Sequence, residues 1–444
     1  MKKKVLFFAR SFLAKYYSDI KSDVIEPIFV TLTHEEKVFL ESKDWKVFGC
    51  FEDEYESLPI ASFPGNYLKT SFQSDRFLHR FSQEKRLEVL GKEISFWSNI
   101  LDTTTPDVLV NETVAIEIAE VMAIEAEKRN IPFYTYLLGF IPGTFYWKPD
   151  PFSGRMQDMS TIKVDDVHLS QARKYVHDVV EKNERPFYVT GIKKNNITLK
   201  TVIHSRILYK SAQKKQRKME NATTFKYEDY SIFNKVALDI HQSTYFSKAK
   251  YDSMDTLKDK NVVFLPMHME PEAILNYFVD ENYDQSMLIN QVLSCLKNNQ
   301  YLVVKEHPQQ QGILLTPKYQ EIKKRNSNII YLPSYELSFP IIKQAEAIIT
   351  LTSTVAWEGL MFGKPAFVIG KIFYDQCSGV IRINSFRQLK KEIQKDYYLI
   401  PNRNEVIEYA AKMISQFHVG CPSPCYNGES TITEFTKEIE KLLR

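Results

Sequence analysis

Glycine is scarce in this chain, with 14 among 444 residues. A phosphate loop built from glycine backbone needs several at fixed spacing, and neither G-x-x-x-x-G-K-[ST] nor G-x-G-x-x-G occurs. Cysteine is rarer still. The five, Cys50, Cys295, Cys377, Cys421 and Cys425, are odd in number and scattered, which suits a reducing cytoplasm better than a disulfide framework. Cys421 and Cys425 stand close as C-P-S-P-C, but a zinc knuckle needs more ligands than that pair. No apolar run approaches the ~18 residues that span a bilayer. The opening MKKKVLFFARSF mimics a leader, yet its apolar run Val5–Ala9 stops at Arg10, so it reads as a first β-strand. An excess of one charge is also lacking. Lys and Arg number 58 against 55 Asp and Glu, and the net +3 is too small to argue for a nucleic-acid partner.

What is present is ordinary soluble-protein composition, 44% hydrophobic and 25% charged, in a chain too long for one core. Residues 1–160 alternate apolar strands with helical runs. Lys4–Ala9, Ile25–Leu32, Trp45–Phe51, Pro106–Asn111 and Ile131–Gly139 read as strands; His34–Asp44 and Thr113–Asn130 read as helices. Strands that are apolar throughout belong in a parallel sheet covered on both faces. Residues 161–255 are polar and helical in period, and Tyr209–Lys218 carries five basic residues. That run is a solvated helix face or, on a sharper reading, a contact for anionic headgroups at a membrane surface. Residues 256–404 resume the strand–helix alternation, and 405–444 read as helices. The fold class predicted is α/β: two doubly wound, Rossmann-like domains with a helical connection and a ligand cleft at the strands' carboxyl ends.

Four stretches could carry chemistry. In ITLTSTVAWEGLMFGKP, Ile349–Pro365, a strand runs into Thr352, Ser353 and Thr354 and then a helix. Amides and hydroxyls at a helix N-terminus suit a phosphate, although simple capping by Ser353 or Thr354 explains one hydroxyl without a ligand. Glu358 is out of register for a capping box from either residue and lies on the same side as Thr354, placed to accept from sugar hydroxyls. VVKEHP ends a strand on Lys305, His307 and Pro308, where an imidazole can meet phosphate or a base. FLPMHMEPEA ends another on His268, Glu270 and Glu272, candidates for acid–base work or for placing a donor sugar. In the first half, Asn111 and Glu112 end the fourth strand, and Glu112 is a candidate base for an acceptor hydroxyl. Arg10 and Ser11, ending the first strand, are further cleft candidates. For each, the plainer alternative is local capping or surface charge.

In order, FLPMHMEPEA, YDQ (Tyr283–Gln285), VVKEHP, TSTVAWEGLMFGKP and GKIFYDQCSGV span roughly 260–380. Together they resemble the bacterial capsule polysaccharide biosynthesis proteins, a group that includes Kdo transferases of the GT-B fold. The first half resembles them only through PDVLVNE and GFIPG. The His-Pro pair followed by adjacent hydroxyls also resembles bacterial sialyltransferases, where such residues hold CMP. The resemblance implies a cytoplasmic glycosyltransferase, peripheral at the membrane's inner face if the basic run binds there. Its donor would be a nucleotide sugar, a CMP-linked ulosonic acid such as Kdo or a sialic-acid-like sugar. Its acceptor would be a glycan or glycolipid of a capsule or other surface polysaccharide. It further implies His307, Ser353 and Thr354 on the nucleotide phosphate, Glu358 on a ribose or sugar hydroxyl, and Glu112 as base. Glu358-Gly359 departs from the Glu-Ala more usual there. No D-x-D stands at a strand end, and a GT-B enzyme needs no divalent metal or other cofactor. Alternatives are a UDP-hexose or hexosamine transferase of the same fold, a nucleotide-sugar epimerase, and a non-catalytic capsule-assembly subunit. Whether the anomeric centre is retained or inverted stays open, with Glu270 or Glu272 a possible nucleophile.

Overall fold

The computed structural model describes residues 2–184, 207, 225–227, 250–270, 273–279, 284–420 and 432–443. Glu272, Pro271, Tyr283, the basic run Tyr209–Lys218, and Cys421 and Cys425 lie outside them. The other three cysteines are buried and free. The described chain divides into two compact units. One holds residues 2–157, 225–227, 416–420 and 432–443; the other holds 158–184, 207 and 250–415 with the gaps given above.

The first unit is built on a seven-stranded sheet. Its strands are β1 (Lys3–Phe8), β2 (Ile25–Thr31), β3 (Val47–Cys50), β4 (Val108–Glu112), β5 (Phe133–Leu138), β6 (Thr144–Lys148) and β13 (His418–Val419), in the order β13-β6-β5-β4-β1-β2-β3. Strands β1 to β5 pair in parallel. Alternation along β1 sends Leu6 and Phe8 into one core, with Val30, Leu109 and Trp97, and Val5, Phe7 and Ala9 into another, with Phe29, Val110 and Phe435. Both faces are therefore covered, which is why the central positions of these strands form unbroken apolar runs such as Val5–Phe8 and Val108–Val110. β6 and β13 join as antiparallel edge strands and are absent from the sequence reading. The 22-residue helix Gln83–Thr104 is likewise absent from it; Ser82 caps it by accepting from the Lys85 amide at 3.3 Å.

The second unit holds β7 (Asn261–Pro266), β8 (Gln300–Lys305), β9 (Ile329–Leu332), β10 (Ala345–Thr350), β11 (Ala366–Val368) and β12 (Val380–Arg382), all parallel, in the order β12-β11-β10-β7-β8-β9. Val263, Leu302, Ile329 and Ile349 pack in its core with Leu288 and Ile289 of the helix Gln285–Leu293. Helix Asp166–Lys182, in the stretch expected as a connection, belongs to this unit and packs on helix Arg403–Ile414. Helix Ile432–Leu442 and β13, in the expected C-terminal helical stretch, count with the first unit.

Both sheets share one topological property. The first strand of each unit lies between its second and its fourth, so the connections leave in opposite directions on either side of it. Such a switch point opens a crevice beyond the strands' carboxyl ends.

Candidate functional site

In the second unit the switch point lies between β7 and β10, and six of the sequence candidates stand at it. His268 follows β7, Lys305 and His307 end and follow β8, and Thr352–Thr354 follow β10. The turn from β10 into helix Thr354–Met361 is held by a short polar chain. The Ser353 amide donates to Thr350 Oγ1 at 2.9 Å, and Thr350 Oγ1 lies 3.4 Å from His268 Nε2. The Thr352 amide donates to the same Nε2 at 3.4 Å. An atom that accepts a backbone N–H carries no proton, so His268 presents its lone pair to the turn. Burial among these groups, with His307 nearby, pushes its pKa down to about 3.

Ser353 is the N-cap. Its Oγ accepts from the Val355 amide at 3.2 Å, and Tyr374 Oη donates to its carbonyl at 2.5 Å. With Ser353 as cap the third helical position is Ala356, so no capping box forms and Glu358 stays outside the cap, as its spacing suggests. Thr352 differs from its neighbours: its Oγ1 is buried and has no hydrogen-bond partner among the described residues. Gly370 backs this turn closely. A Cβ there would meet Thr352 Cγ2 at 2.4 Å and the Leu351 carbonyl at 2.8 Å.

Lys305 and Glu358 are the second feature. Both side chains are buried, with relative exposures of 5% and 4%. Lys305 Nζ makes one long hydrogen bond, to the Glu306 carbonyl at 3.4 Å. Burial pushes its pKa down to about 8, while Glu306 and Glu358 pull the other way. Burial pushes Glu358 up to about 8, opposed by the Lys305 charge. No hydrogen bond to the Glu358 carboxyl is found among the described residues. An ionisable pair with so few hydrogen bonds is costly unless something else supplies them.

Glu306 is a contrast. It accepts from Tyr251 Oη at 2.7 Å and from the amides of Gly312 and Leu314 at 3.0 and 2.9 Å, so it folds the loop after β8. Its pKa still stands at about 7 because burial outweighs those bonds. On that loop His307 Nδ1 accepts from the Gln309 amide at 3.2 Å, which leaves the proton on Nε2. Burial and Lys305 push its pKa down to about 4, so at neutral pH it is an uncharged donor. Pro308 then turns the chain away.

The loop after β7 is held by two glutamines. Gln285 accepts from the His268 amide at 2.7 Å and donates to the His268 carbonyl at 2.9 Å. Gln310 accepts from the Glu270 amide at 3.0 Å and donates to the Glu270 carbonyl. The Glu270 carboxyl accepts from the Gln285 amide at 3.1 Å, at the start of the helix Gln285–Leu293, and is raised by burial.

In the first unit the switch point lies between β1 and β4. Glu112 ends β4, and Arg10 and Ser11 follow β1. Burial raises the Glu112 pKa, while Arg10, Arg76 and Lys148 all act to lower it. Lys148 is itself buried; its Nζ donates to Thr113 Oγ1 at 2.5 Å and to the Ser153 carbonyl at 2.8 Å, and burial lowers its pKa to about 7. Asn111 Oδ1 and Arg76 Nε are buried without a hydrogen-bond partner among the described residues. The Ser11 amide donates to the Glu36 carboxylate, with the Ser11 backbone at φ 54°; its side chain is exposed.

Several participants are absent from the sequence candidates. Gln285, Gly370 and Tyr374 lie inside the quoted family-like stretches, and Thr350 inside the hydroxyl-rich one, so a signal was present. Gln310 and Arg76 carry none, and Lys148 sits on β6, which was not read as a strand. Among the described residues no group of His, Cys, Asp and Glu is placed to hold a metal ion, and no helix is long and apolar enough to cross a membrane.

Residues 258–397 match the family model described as capsule polysaccharide biosynthesis protein. That segment includes every residue described at the second unit's switch point except Tyr251. No curated protein matches the chain. Among solved structures it is similar to the KpsC β-Kdo 2,7-transferase of Thermosulfurimonas dismutans, with 14% identity over 82% of this chain and 98% of that one and a TM-score of 0.40. The KpsC β-Kdo 2,4-transferase of the same organism gives 12% identity over 75% and 87%, with a TM-score of 0.34. The UDP-GlcNAc 2-epimerase of Methanocaldococcus jannaschii gives 13% over 94% and 99%, with a TM-score of 0.27. At these scores the function must be argued from the site.

Proposed function

We propose that the chain is a glycosyltransferase of surface-polysaccharide assembly that takes its sugar from a nucleotide donor, a CMP-linked ulosonic acid, and passes it to a glycan acceptor. One observation carries the reading. At the β7/β10 switch point a helix N-terminus, an unpartnered Thr352 hydroxyl, an uncharged His307 and a buried Glu358 lacking hydrogen bonds stand together. These are the groups a nucleotide needs: amide and hydroxyl donors for phosphate, a carboxyl group for vicinal hydroxyls, and no glycine loop.

In this reading the phosphate sits on the Ser353–Thr354 turn, with His307 Nε2–H donating to a phosphate oxygen. As the glycosidic bond breaks, charge builds on that phosphate, and the fixed donors, the helix dipole and the Lys305 ammonium stabilise it. Pro308 sets the direction of the His307 loop. Glu358 accepts from ribose hydroxyls, which supplies the hydrogen bonds its burial removes. His268 serves by holding the turn. Glu112 acts as base, taking the acceptor hydroxyl's proton, with Arg10 and Lys148 stabilising its ionised form and Asn111 and Ser11 beside it. Glu270 borders the donor side. Acceptance of a CMP donor rests on the His-Pro and hydroxyl pattern of the sequence, and a location in the cytoplasm on its scattered cysteines and the family resemblance.

The test is a turnover screen with purified protein across CMP- and UDP-linked sugars, with and without glycan acceptor. Consumption of a CMP-linked ulosonic acid that depends on acceptor supports the proposal. Turnover of UDP-hexoses alone, or isomerised sugar without acceptor, replaces it with the transferase or epimerase alternative. If no donor is consumed, the non-catalytic subunit reading takes its place.

A further inference from the structure

We propose that the loop between helices Phe386–Ile393 and Arg403–Ile414 is a membrane-docking surface, which seats Tyr397, Leu399 and Ile400 in the headgroup region of an anionic bilayer. These three side chains are 89%, 62% and 72% exposed, a cluster of large apolar groups within four residues. Isolated exposed apolar residues are ordinary; a contiguous group on one loop is not.

The loop does not expose them through slack. Tyr398 points inward, with its hydroxyl donating to the Ile393 carbonyl at 3.0 Å and accepting from Gln300 Nε2 at 2.8 Å. Its ring meets Phe367 edge-on at 5.6 Å. Before it, Gln394 donates to the carbonyls of Cys295 and Leu296 at 3.0 and 3.1 Å. After it, Pro401 packs against Gly379, and Asn402 caps the next helix. The chain is fixed on both sides of the cluster, and Tyr398 is half-buried while Tyr397, Leu399 and Ile400 are exposed.

The charges beside the cluster choose the partner. Arg387, Lys390 and Lys391 lie on the exposed face of the preceding helix, and none forms an ion pair among the described residues. Lys395 pairs with Glu392, and Asp396 is exposed. Four cations thus stand against two carboxylates over residues 386–400. A tyrosine and two aliphatic groups bordered by unpaired cations fit an anionic lipid surface, where rings and alkyl groups enter the interface and cations stay among the phosphates. The loop lies at the amino-terminal edge of its sheet, since Gln300 opens β8, about 20 Å of strand away from the candidate site. The inference is independent of the donor reading.

The experiment is flotation of the full chain with vesicles of phosphatidylcholine, with and without phosphatidylglycerol. The wild type is expected to float with the anionic vesicles and to release them in high salt. Leu399→Ser with Ile400→Ser should weaken that binding roughly tenfold or more, since each withdraws a large aliphatic group from the interface. Lys390→Glu with Lys391→Glu should weaken it roughly tenfold while leaving the apolar groups in place. All four positions are exposed, and unchanged circular dichroism melts identify folded variants. Failure of the wild type to bind anionic vesicles overturns the proposal. So does equal binding by both variants, which would place the contact elsewhere, such as Tyr209–Lys218. Lipid-free self-association that is lost in Leu399→Ser with Ile400→Ser would assign the patch to a second copy of the chain instead.

Discussion

Glu358 has its ionised form opposed by its surroundings, and this has a measurable sign. Its pKa is pushed from the ordinary value near 4.3 up to about 8. A carboxyl whose folded pKa is raised contributes stability that is full below the unfolded value and is lost as pH rises through the folded one. The Glu358→Gln variant removes this loss. Its melting temperature relative to the wild type should therefore climb by a few degrees between pH 5 and pH 8, measured without nucleotide. A difference that stays flat with pH would show that Lys305 compensates the charge fully. The same substitution should weaken nucleotide binding at least tenfold, because the amide loses an acceptor oxygen. His307 makes a different prediction. With its pKa near 4 it stays neutral from pH 5 upward, so it gives the rate profile no inflection near 6.5. His307→Ala should lower kcat/KM roughly ten- to a hundredfold through loss of one donor to an anion. Glu112, raised by burial, should set the acid limb of that profile above the ordinary carboxylate range, and Glu112→Gln should abolish turnover while leaving nucleotide binding intact.

The element that matters most is the turn from β10 into helix Thr354–Met361, because its backbone is what the proposed phosphate meets. Gly370 tests it. A methyl group there collides with Thr352 Cγ2 and the Leu351 carbonyl, and a carbonyl in a parallel strand's turn has little freedom to retreat. Gly370→Ala should cost about 1–3 kcal/mol and weaken nucleotide binding together. Gly363→Ala, two helical turns away at φ 74° with open space around it, should cost about 1 kcal/mol of stability and leave binding alone. Equal loss of binding in both would detach the turn from the site. This element also shows what sequence can reveal. Three adjacent hydroxyls and an out-of-register Glu358 were visible in one linear stretch, so the helix, its cap and the missing capping box were legible. The bracket formed by His268 was not, because Nε2 meets Thr350 and Thr352 across 82 and 84 residues of chain. The glutamine clamps were hidden for the same reason. A side-chain amide that pairs with a single residue's backbone leaves no spacing to read.

At the scale of the whole molecule, the alternation of apolar strands with helices predicted two doubly wound sheets, and two sheets are present. Strands covered on both faces announce themselves by unbroken apolar runs. The edge strands do not. β6 is paired on its outer side by only two residues of β13, and β13 is too short to carry a pattern. The return of 416–420 and 432–443 to the first unit likewise rests on packing of Phe435 against Tyr17 and Tyr136, in the core that Ile439 shares, which no local signal encodes. What both units share is a crevice at the reversal of strand order, with Arg10 and Glu112 at one and His268, Lys305 and Thr350–Glu358 at the other. The proposed ligand of the second of these crevices is a cytidine nucleotide. The most direct measurement is thermal unfolding of the full chain at pH 7.5 with saturating CMP or UDP, for the wild type and for Glu358→Gln. Specific binding to the folded state raises the melting temperature by mass action. The account predicts stabilisation by CMP in the wild type, little by UDP, and loss of the CMP effect in the variant. Equal or greater stabilisation by UDP, or a CMP effect that survives in Glu358→Gln, would contradict it.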